Sequence, residues 1–218
     1  MVDRRLEVVP DPAAARRAAE VIVRAATAAP AAFTFAVSGG RTPRAMFRLL
    51  DGVDWGRVGV WQVDERVAPD GHPDRNLTGL LEALPPAARG RIRPMPVTDP
   101  ELENAAERYA AGLPPVFDLI HLGLGDDGHT ASLVPGDPVL DVDDRDVALT
   151  REYRGRRRMT LTYRVLDGAA FVVWLVTGAD KAAMVPRLLD GDPSIPAGRV
   201  RAPHQLVLAD EAAAAGVG

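Results

Sequence analysis

The segment FDLIHLGLGDDGHTASLVPG, residues 117–136, sets the architecture that we expect for the whole chain. Its opening run, 117–122, is mostly apolar and is bounded by proline and glycine, which is typical of a strand buried on both faces. The glycine-rich stretch that follows predicts a tight turn that lets the backbone approach a ligand. We expect a helix to start within 130–134, with its amide groups pointing back into the turn.

His129 lies between this turn and the expected helix. The positive end of a helix disfavours the charged form of an imidazole, so His129 is predicted to be neutral and able to take a proton. Its placement therefore indicates a general base.

The turn also spells G-x-G-x-x-G after a strand, which is the fingerprint of a dinucleotide site. Asp126 and Asp127, however, lie inside the loop where a pyrophosphate would sit, and the like charges oppose it. The sequence therefore favours an acid–base site over a dinucleotide site.

The composition excludes several classes of protein. The 218 residues include no cysteine, which excludes disulfides, thiolate metal sites and cysteine nucleophiles. The formal charge of −4 gives no overall attraction to nucleic acid or to an anionic membrane. No apolar run approaches the roughly 20 residues that span a bilayer. The opening residues lack the apolar core of a secretory signal, so we expect a cytoplasmic location.

A second glycine-rich turn follows a strand expected at 33–37. The motif SGGRTP, 38–43, then leads into a helix that Pro43 starts. Unpaired amides and the helix dipole converge on such a turn, which predicts a phosphate site. The Walker A pattern is absent, so binding of a nucleoside triphosphate is not implied. An ordinary tight turn remains the alternative here.

Lys181 is the single lysine among 26 basic residues. Its isolation indicates a site that needs a compact ammonium group, such as a phosphate ligand, although a surface lysine that survives by chance remains open. We expect a strand at 171–176 and a helix at 179–189 with Lys181 in its first turn. A cation there opposes the helix dipole, which favours a bound anion beside it.

Charged residues also follow a strand expected at 58–63. The triplet Asp64-Glu65-Arg66 falls at the carboxyl end of that strand, where open α/β sheets place their ligands. A solvated loop with a local ion pair remains open. The arginine-dense run 151–158 lacks the alternating aromatic residues of a nucleic-acid site. It is predicted to be a loop, with Arg158 turned inward.

Strands alternate with helices throughout the sequence. This alternation predicts an α/β fold: a three-layer, Rossmann-like, mostly parallel sheet with helices on both faces. The chain shows no repeat and no change of composition, so residues 1–218 are predicted to form one domain. Residues 205–209 are expected to add an edge strand.

Five motifs carry a family resemblance. SGGRTP, DER, GLGDDGHTASLVPG, RMTLT and TGADK, in this order from Ser38 to Lys181, resemble the 6-phosphogluconolactonase family. That family belongs to the glucosamine/galactosamine-6-phosphate isomerase superfamily of sugar-phosphate enzymes. The resemblance implies hydrolysis of 6-phospho-D-glucono-1,5-lactone to 6-phospho-D-gluconate in the oxidative pentose phosphate pathway. It implies a phosphorylated sugar lactone as the partner, no metal or cofactor, and a monomer or homodimer.

The resemblance also implies roles for individual residues. It places His129 as general acid or base with Asp127 orienting it, and Asp64 and Arg66 beside the substrate. Arg75, His72 and His204 receive no role. The residues implied for the catalytic centre are His129, Asp127 and Asp64, and those for substrate and phosphate binding are Ser38, Gly39, Gly40, Arg41, Thr42, Arg66, Arg158 and Lys181.

Two other functions stay open at this point. A glucosamine-6-phosphate deaminase would share the phosphate loop and the histidine turn, but that family carries a glutamate before the proline of this turn. The segment 131–135, ASLVP, has no carboxylate, which favours the hydrolase. A sugar-phosphate sensor without catalysis would be expected to carry a partner-binding module, and we see no helix-turn-helix before Leu6.

Overall fold

The computed structural model describes residues 2–217, which form two β-sheets flanked by helices. Ten strands lie within this part of the chain. They are β1 (Asp3–Val9), β2 (Phe33–Val37), β3 (Val58–Gln62), β4 (Asp64–Arg66), β5 (Ile92–Arg93), β6 (Leu119–Leu122), β7 (Val147–Leu149), β8 (Arg158–Leu161), β9 (Val172–Val176) and β10 (His204–Asp210).

The larger sheet has seven strands in the order β1-β10-β9-β6-β2-β3-β5, and its paired strands run parallel. The predicted mostly parallel sheet with helices is therefore confirmed. The prediction of an edge strand at 205–209 is wrong, because β10 lies between β1 and β9. Strand β1 pairs with β10 along its whole length, from Asp3 opposite His204 to Val9 opposite Asp210.

Helices cover both faces of this sheet. Along β9, Val172 and Trp174 pack into one hydrophobic cluster, and Val173 and Leu175 pack into the other. The helices are α1 (Asp11–Ala28), α2 (Arg41–Phe47), α3 (Asn76–Ala83), α4 (Pro86–Arg89), α5 (Leu102–Ala111), α6 (Tyr163–Asp167) and α7 (Met184–Leu189). The first cluster includes residues of α5 and α7, and the second includes residues of α1, α2 and α3.

The smaller sheet, in the order β4-β8-β7, is antiparallel and was not predicted. The sequence predicts one strand up to Val63, but the chain leaves the larger sheet after Gln62 and pairs again from Asp64. Asp64 then lies opposite Thr160, and Arg66 lies opposite Arg158. This pairing brings the DER and RMTLT motifs side by side.

Two predicted helices differ in the structure. Residues 130–134 form a tight turn, because Ala131 adopts φ 51°, in the left-handed region, and Thr130 bridges to Leu133. The helix expected from residue 179 is interrupted. Ala179–Lys181 forms a short 3₁₀ helix, and α7 begins only at Met184.

None of the helices within residues 2–217 combines the length and the apolar character that a membrane crossing requires.

Candidate active site

His129 and Asp127 form a hydrogen-bonded pair in the turn that follows β6. The Nδ1 atom of His129 lies 2.5 Å from Oδ1 of Asp127, and the backbone N–H of His129 donates to the same oxygen at 3.0 Å. The hydroxyl of Tyr153 donates to the other oxygen, Oδ2, at 2.7 Å. With Nδ1 engaged, Nε2 is the ring nitrogen left to exchange a proton with a ligand.

These contacts keep Asp127 ionised. Burial alone would raise the pKa of its carboxyl, but hydrogen bonds from the His129 backbone and from Tyr153, with the His129 ring, lower that pKa to about 2. Burial and the bond to Asp127 raise the pKa of Tyr153 to about 12. Tyr153 therefore stays protonated near neutral pH and acts as the donor in this contact.

The backbone of the turn is shaped to admit the imidazole. A Cβ atom added to Gly125 would lie 2.0 Å from Nδ1 of His129, far inside contact distance. The amide of Gly125 also donates to the carbonyl of His129 at 2.8 Å. His129 is therefore positioned by the folded loop itself, and the helix dipole that the sequence predicts here has no counterpart.

Asp64 is buried, with 3% of its surface exposed, and it accepts hydrogen bonds on both carboxylate oxygens. Ser132 Oγ donates to Oδ2 at 2.6 Å, and Asn76 Nδ2 donates to Oδ1 at 3.0 Å. Asn76 Oδ1 in turn accepts from the guanidinium of Arg66. Asp64 thus ties the histidine turn to the start of α3. A catalytic role for it stays a prediction.

Glu65 and Arg75 form a buried ion pair beside this network. Glu65 Oε2 lies 3.1 Å from Nε of Arg75, and their side chains are 0% and 2% exposed. Glu65 also accepts from the backbone amides of Asn76 and Leu77, the first residues of α3. Arg75 is thus a structural residue. The sequence left open a solvated loop with a local ion pair at the DER motif. The ion pair is present, but it is buried.

The SGGRTP turn lines a cavity of about 730 Å³. Gly40 adopts φ 128°, which the turn requires and which side chains rarely tolerate. Thr42 Oγ1 lies 2.8 Å from Oγ1 of Thr177 and joins this turn to the loop after β9. The predicted residues that line the cavity are Gly39, Gly40, Arg41, Thr42 and Lys181. Ser38 is buried beneath them, and its Oγ has no hydrogen-bond partner in the described chain.

Lys181 therefore shares a cavity with the SGGRTP turn, as the resemblance implies. It ends a three-residue 3₁₀ helix, so the argument from an α-helix dipole does not apply. Its Nζ lies 2.8 Å from Oδ2 of Asp180, a side chain that is 62% exposed. The Asp180 carboxylate is open to solvent, whereas the Lys181 side chain is only 19% exposed, so an anion can replace the carboxylate at little cost.

Arg158 is buried, as predicted, and its guanidinium carbon lies 4.9 Å from the centre of the Tyr153 ring. Burial lowers the pKa of Arg158, and the neighbouring charge of Arg66 lowers it further. Its Nε has no hydrogen-bond partner within the described residues. Arg158 therefore carries an unpaired donor that is itself shielded by the surrounding protein.

The loop 123–129 connects the two parts of the predicted site. Gly123 and Leu124, at its start, line the cavity that holds Lys181, and His129 ends it. The charge of Lys181 also contributes to holding the pKa of Asp126 down, after the larger effect of the Arg154 hydrogen bond. Asp64, Arg66 and Arg158 lie on the small sheet beside this loop.

The other histidines lie elsewhere. His121 is fully buried in β6, as expected for a core residue, and burial lowers its pKa to about 3. His72 contacts Arg156 through Nε2 at 3.2 Å. His204 is exposed at the start of β10. None of these contacts gives them a part in the site.

One cluster within residues 2–217 has the ligand types of a metal site. Single ligand atoms of Asp126, Asp127 and His129 lie within 4.8 Å of one another. Each carboxylate already has a protein partner, since Arg154 bonds to Asp126 at 3.0 Å and Tyr153 bonds to Asp127. Side chains of the protein itself therefore already bond to both carboxylates of this cluster.

Tyr153 is the residue of this site that the sequence analysis missed. The run 151–158 is predicted to be a solvated loop, but Tyr153 and Arg156 pair as the ends of a tight hairpin. Arg154 and Gly155 between them both have positive φ, 51° and 79°. An Arg-Gly pair between two flanking residues is a weak hairpin signal, and it is the only sequence feature that indicated this turn.

The chain is similar to known proteins over most of its length. Residues 11–209 match the family described as glucosamine-6-phosphate isomerases/6-phosphogluconolactonase. A 6-phosphogluconolactonase from Synechocystis sp. is 39% identical over 165 residues, which cover 68% of this chain and 68% of that protein. The crystal structure of a 6-phosphogluconolactonase from Thermotoga maritima superposes with a TM-score of 0.86 at 25% identity and covers 96% of this chain and all of that one.

A monomeric glucosamine-6-phosphate deaminase also shares the fold. Its structure gives a TM-score of 0.80 and covers 99% of this chain, at 18% identity. The fold alone therefore does not separate a lactone hydrolase from a deaminase, and the separation rests on the residues of the site.

Proposed function

The chain belongs to the family of glucosamine-6-phosphate isomerases and 6-phosphogluconolactonases, and from this premise we propose that it hydrolyses 6-phospho-D-glucono-1,5-lactone to 6-phospho-D-gluconate. This reaction is a step of the oxidative pentose phosphate pathway. The main support for this proposal is the position of the loop 123–129. It begins at the cavity of the SGGRTP turn and Lys181 and ends at the hydrogen-bonded pair His129–Asp127.

The phosphate group of the substrate binds in the cavity. Backbone amides of the turn around Gly39 and Gly40 and the hydroxyl of Thr42 offer neutral donors, and Arg41 and Lys181 offer charge. The phosphate displaces Asp180 from Lys181. These contacts fix one end of the sugar, so the lactone ring is held in one orientation relative to the loop.

His129 activates the water. Its Nε2 accepts a proton from water as the oxygen attacks C1 of the lactone, and the ionised Asp127 stabilises the imidazolium that forms. The tetrahedral intermediate collapses with cleavage of the bond between C1 and the ring oxygen. His129 returns the proton to that oxygen, which leaves a hydroxyl group and a carboxylic acid.

Arg158 stabilises the negative charge that develops on the C1 oxygen. It is buried, and its Nε is free of hydrogen-bond partners in the described structure. A preorganised donor in a buried site acts strongly on a developing charge because no solvent has to reorganise. Asp64 holds Ser132 and Asn76, and so it positions the loop and α3 around the substrate.

The described residues act as one domain. Strand β1 and strand β10 come from opposite ends of the chain and lie next to each other in the larger sheet. Formation of the sheet therefore requires both ends of the chain, which supports a single folding unit.

The test is a product assay on the purified protein. With fresh 6-phosphogluconolactone, acid release should exceed the spontaneous rate, whereas glucosamine 6-phosphate should give no ammonia. His129→Ala should lower kcat by roughly 10² to 10⁴-fold with little change in lactone binding. Ammonia release without lactone hydrolysis would instead identify a deaminase, and binding of both compounds without turnover would indicate a sensor.

A further inference from the structure

We propose that Tyr153 is a positioning residue that locks the pair Asp127–His129 in its working geometry. The inference deepens the proposed function and rests on it. Tyr153 does not have to touch the substrate in this role, because it acts through the carboxylate of Asp127.

The two oxygens of Asp127 have separate partners. Oδ1 accepts a hydrogen bond from the backbone N–H of His129 and lies 2.5 Å from Nδ1 of the same residue. Oδ2 receives the hydroxyl of Tyr153 at 2.7 Å. Without the second contact, the carboxylate could rotate about its side-chain bonds and take the imidazole with it. Tyr153 therefore fixes both the plane of the carboxylate and the orientation of His129.

The ring of Tyr153 is itself held in place. It meets the His129 ring edge to face, with centroids 5.7 Å apart and an angle of 65° between the planes. The guanidinium groups of Arg154 and Arg158 lie 5.1 Å and 4.9 Å from its centre. A guanidinium over a ring face is attracted to it electrostatically, so both contacts restrain the ring. Tyr153 thus also connects the acid–base pair to Arg158.

A tight two-residue hairpin presents this ring. The backbone N–H of Tyr153 donates to the carbonyl of Arg156 at 2.9 Å, and the reverse bond is 3.3 Å. Positive φ at both central residues is the geometry of a type I′ turn, whose twist suits a two-residue hairpin. Two side chains of the hairpin reach other segments, since Arg154 bonds to Asp126 and Arg156 bonds to Asp74. The hairpin is therefore fastened to two other loops.

The charge state of the contact follows from its surroundings. Tyr153 is the donor and Asp127 is ionised, so the hydroxyl draws part of the negative charge of the carboxylate away from His129. Removal of the hydroxyl should make Asp127 a stronger partner for the protonated imidazole. The charged groups that face this pair are Asp126, Arg154 and Arg158. Farther out, Arg66 and Asp64 act on Arg158, and Lys181 acts on Asp126.

Tyr153→Phe tests the inference, because it keeps the ring and deletes only the donor. We expect kcat for the lactone to fall roughly 10-fold and KM to change by less than about twofold, as for other outer partners of a catalytic group. The acid limb of the pH profile of kcat/KM should move to higher pH. The matched control is Tyr163→Phe, which deletes a hydroxyl that donates to the carbonyl of Pro196, and it should leave both quantities unchanged.

A double-mutant cycle separates positioning from a direct role. If Tyr153 acts through Asp127, then Tyr153→Phe should lower kcat by less than about twofold in a background that already carries Asp127→Asn. An undiminished loss in that background would overturn the inference. So would an unchanged kcat and pH profile in the single variant.

Failure of the inference can be told apart from failure of the proposed function. If the wild-type protein does not hydrolyse the lactone, the proposed function falls. The contact is then tested by NMR of the His129 ring nitrogens, whose chemical shifts should respond to Tyr153→Phe and not to Tyr163→Phe. If the wild type is active and the Tyr153 variant matches it in rate and in ring shifts, only the inference falls.

Discussion

Asp127 and Asp64 carry the same carboxyl group in different surroundings. Asp127 has a side chain that is 33% exposed and shares one oxygen with an imidazole. Asp64 is buried, and both of its oxygens are held by neutral side chains, Ser132 and Asn76. The first arrangement supports a proton transfer, whereas the second fixes a loop. The family resemblance implied that Asp127 orients His129, only two residues away, and that Asp64 lies beside the substrate. It did not indicate what holds Asp64, because Ser132 is 68 residues away in the chain.

The depressed pKa of Asp127 predicts how stability depends on pH. A carboxyl with an unfolded pKa of about 3.9 and a folded pKa near 2 stabilises the protein fully above the first value and loses this contribution as pH falls through the second. Asp127→Asn should therefore be less stable than wild type at pH 7, and the difference should shrink toward pH 2. Urea unfolding of both proteins across this range measures it. A difference that stays constant with pH would contradict the assignment.

Lys181 predicts selectivity for the phosphorylated substrate. Lys181→Met removes a charged donor, and loss of such a bond costs about 1.5–3 kcal/mol, so KM for 6-phosphogluconolactone should rise roughly 10-fold to 100-fold. Turnover of glucono-1,5-lactone, which lacks the phosphate, should not change. Arg5→Met is the matched control, because the Arg5 side chain is 77% exposed and, among the described residues, forms an ion pair only with Asp3. Equal losses on both lactones would remove Lys181 from the phosphate site.

The loop 123–129 and the hairpin at Tyr153–Arg156 contain most of the features that the sequence did not reveal. The roles of the glycines and of His129 in this loop could be predicted from the sequence. Glycine is needed for a tight turn, and an imidazole can exchange a proton near neutral pH. The helix predicted at 130–134 fails because Ala131 takes a left-handed conformation, which alanine by itself does not indicate. Likewise, the departure of the chain from the larger sheet after Gln62 depends on pairing with β8, a strand almost a hundred residues away.

The geometry of the loop 123–129 predicts that any side chain at Gly125 lowers activity. A Cβ there would meet the His129 ring, so Gly125→Ala should force the imidazole to move and lower kcat by about 10²-fold, the scale of a misplaced catalytic group. Gly90→Ala is the control, because its Cβ meets nothing within 4 Å. Kinetics with circular dichroism would show whether activity falls while the fold remains. Wild-type kcat in Gly125→Ala would show that the ring position is not critical.

The two sheets of the molecule meet around the site. The sequence predicted the larger sheet, because its apolar runs alternate with amphipathic helices. Strand order was less accessible, since the inner place of β10 depends on β1 pairing across the whole chain. The small sheet is joined to the helical layer through Glu65 on β4 and the residues at the start of α3. Glu65 and Arg75 thus connect the two parts of the structure.

This connection predicts a large loss of stability from one substitution. Arg75→Met leaves Glu65 buried without its cation, and breaking such a pair costs about 3 kcal/mol or more. Arg145→Met removes an exposed pair with Asp144 and should leave the melting temperature nearly unchanged. Thermal and urea unfolding of the two variants compare them directly. Equal stabilities would show that the buried pair does not hold α3 against the small sheet.

The solitary lysine has a practical consequence for handling the protein. Reagents that acylate ε-amino groups, including common fluorescent dyes and activated resins, have one side-chain target in this sequence, and it lines the cavity proposed for phosphate. Amine coupling to Lys181 should therefore block the cavity, and bound inorganic phosphate should protect the lysine from the reagent. Because the sequence has no cysteine, one thiol introduced on a remote surface would give a unique attachment point that leaves the cavity open.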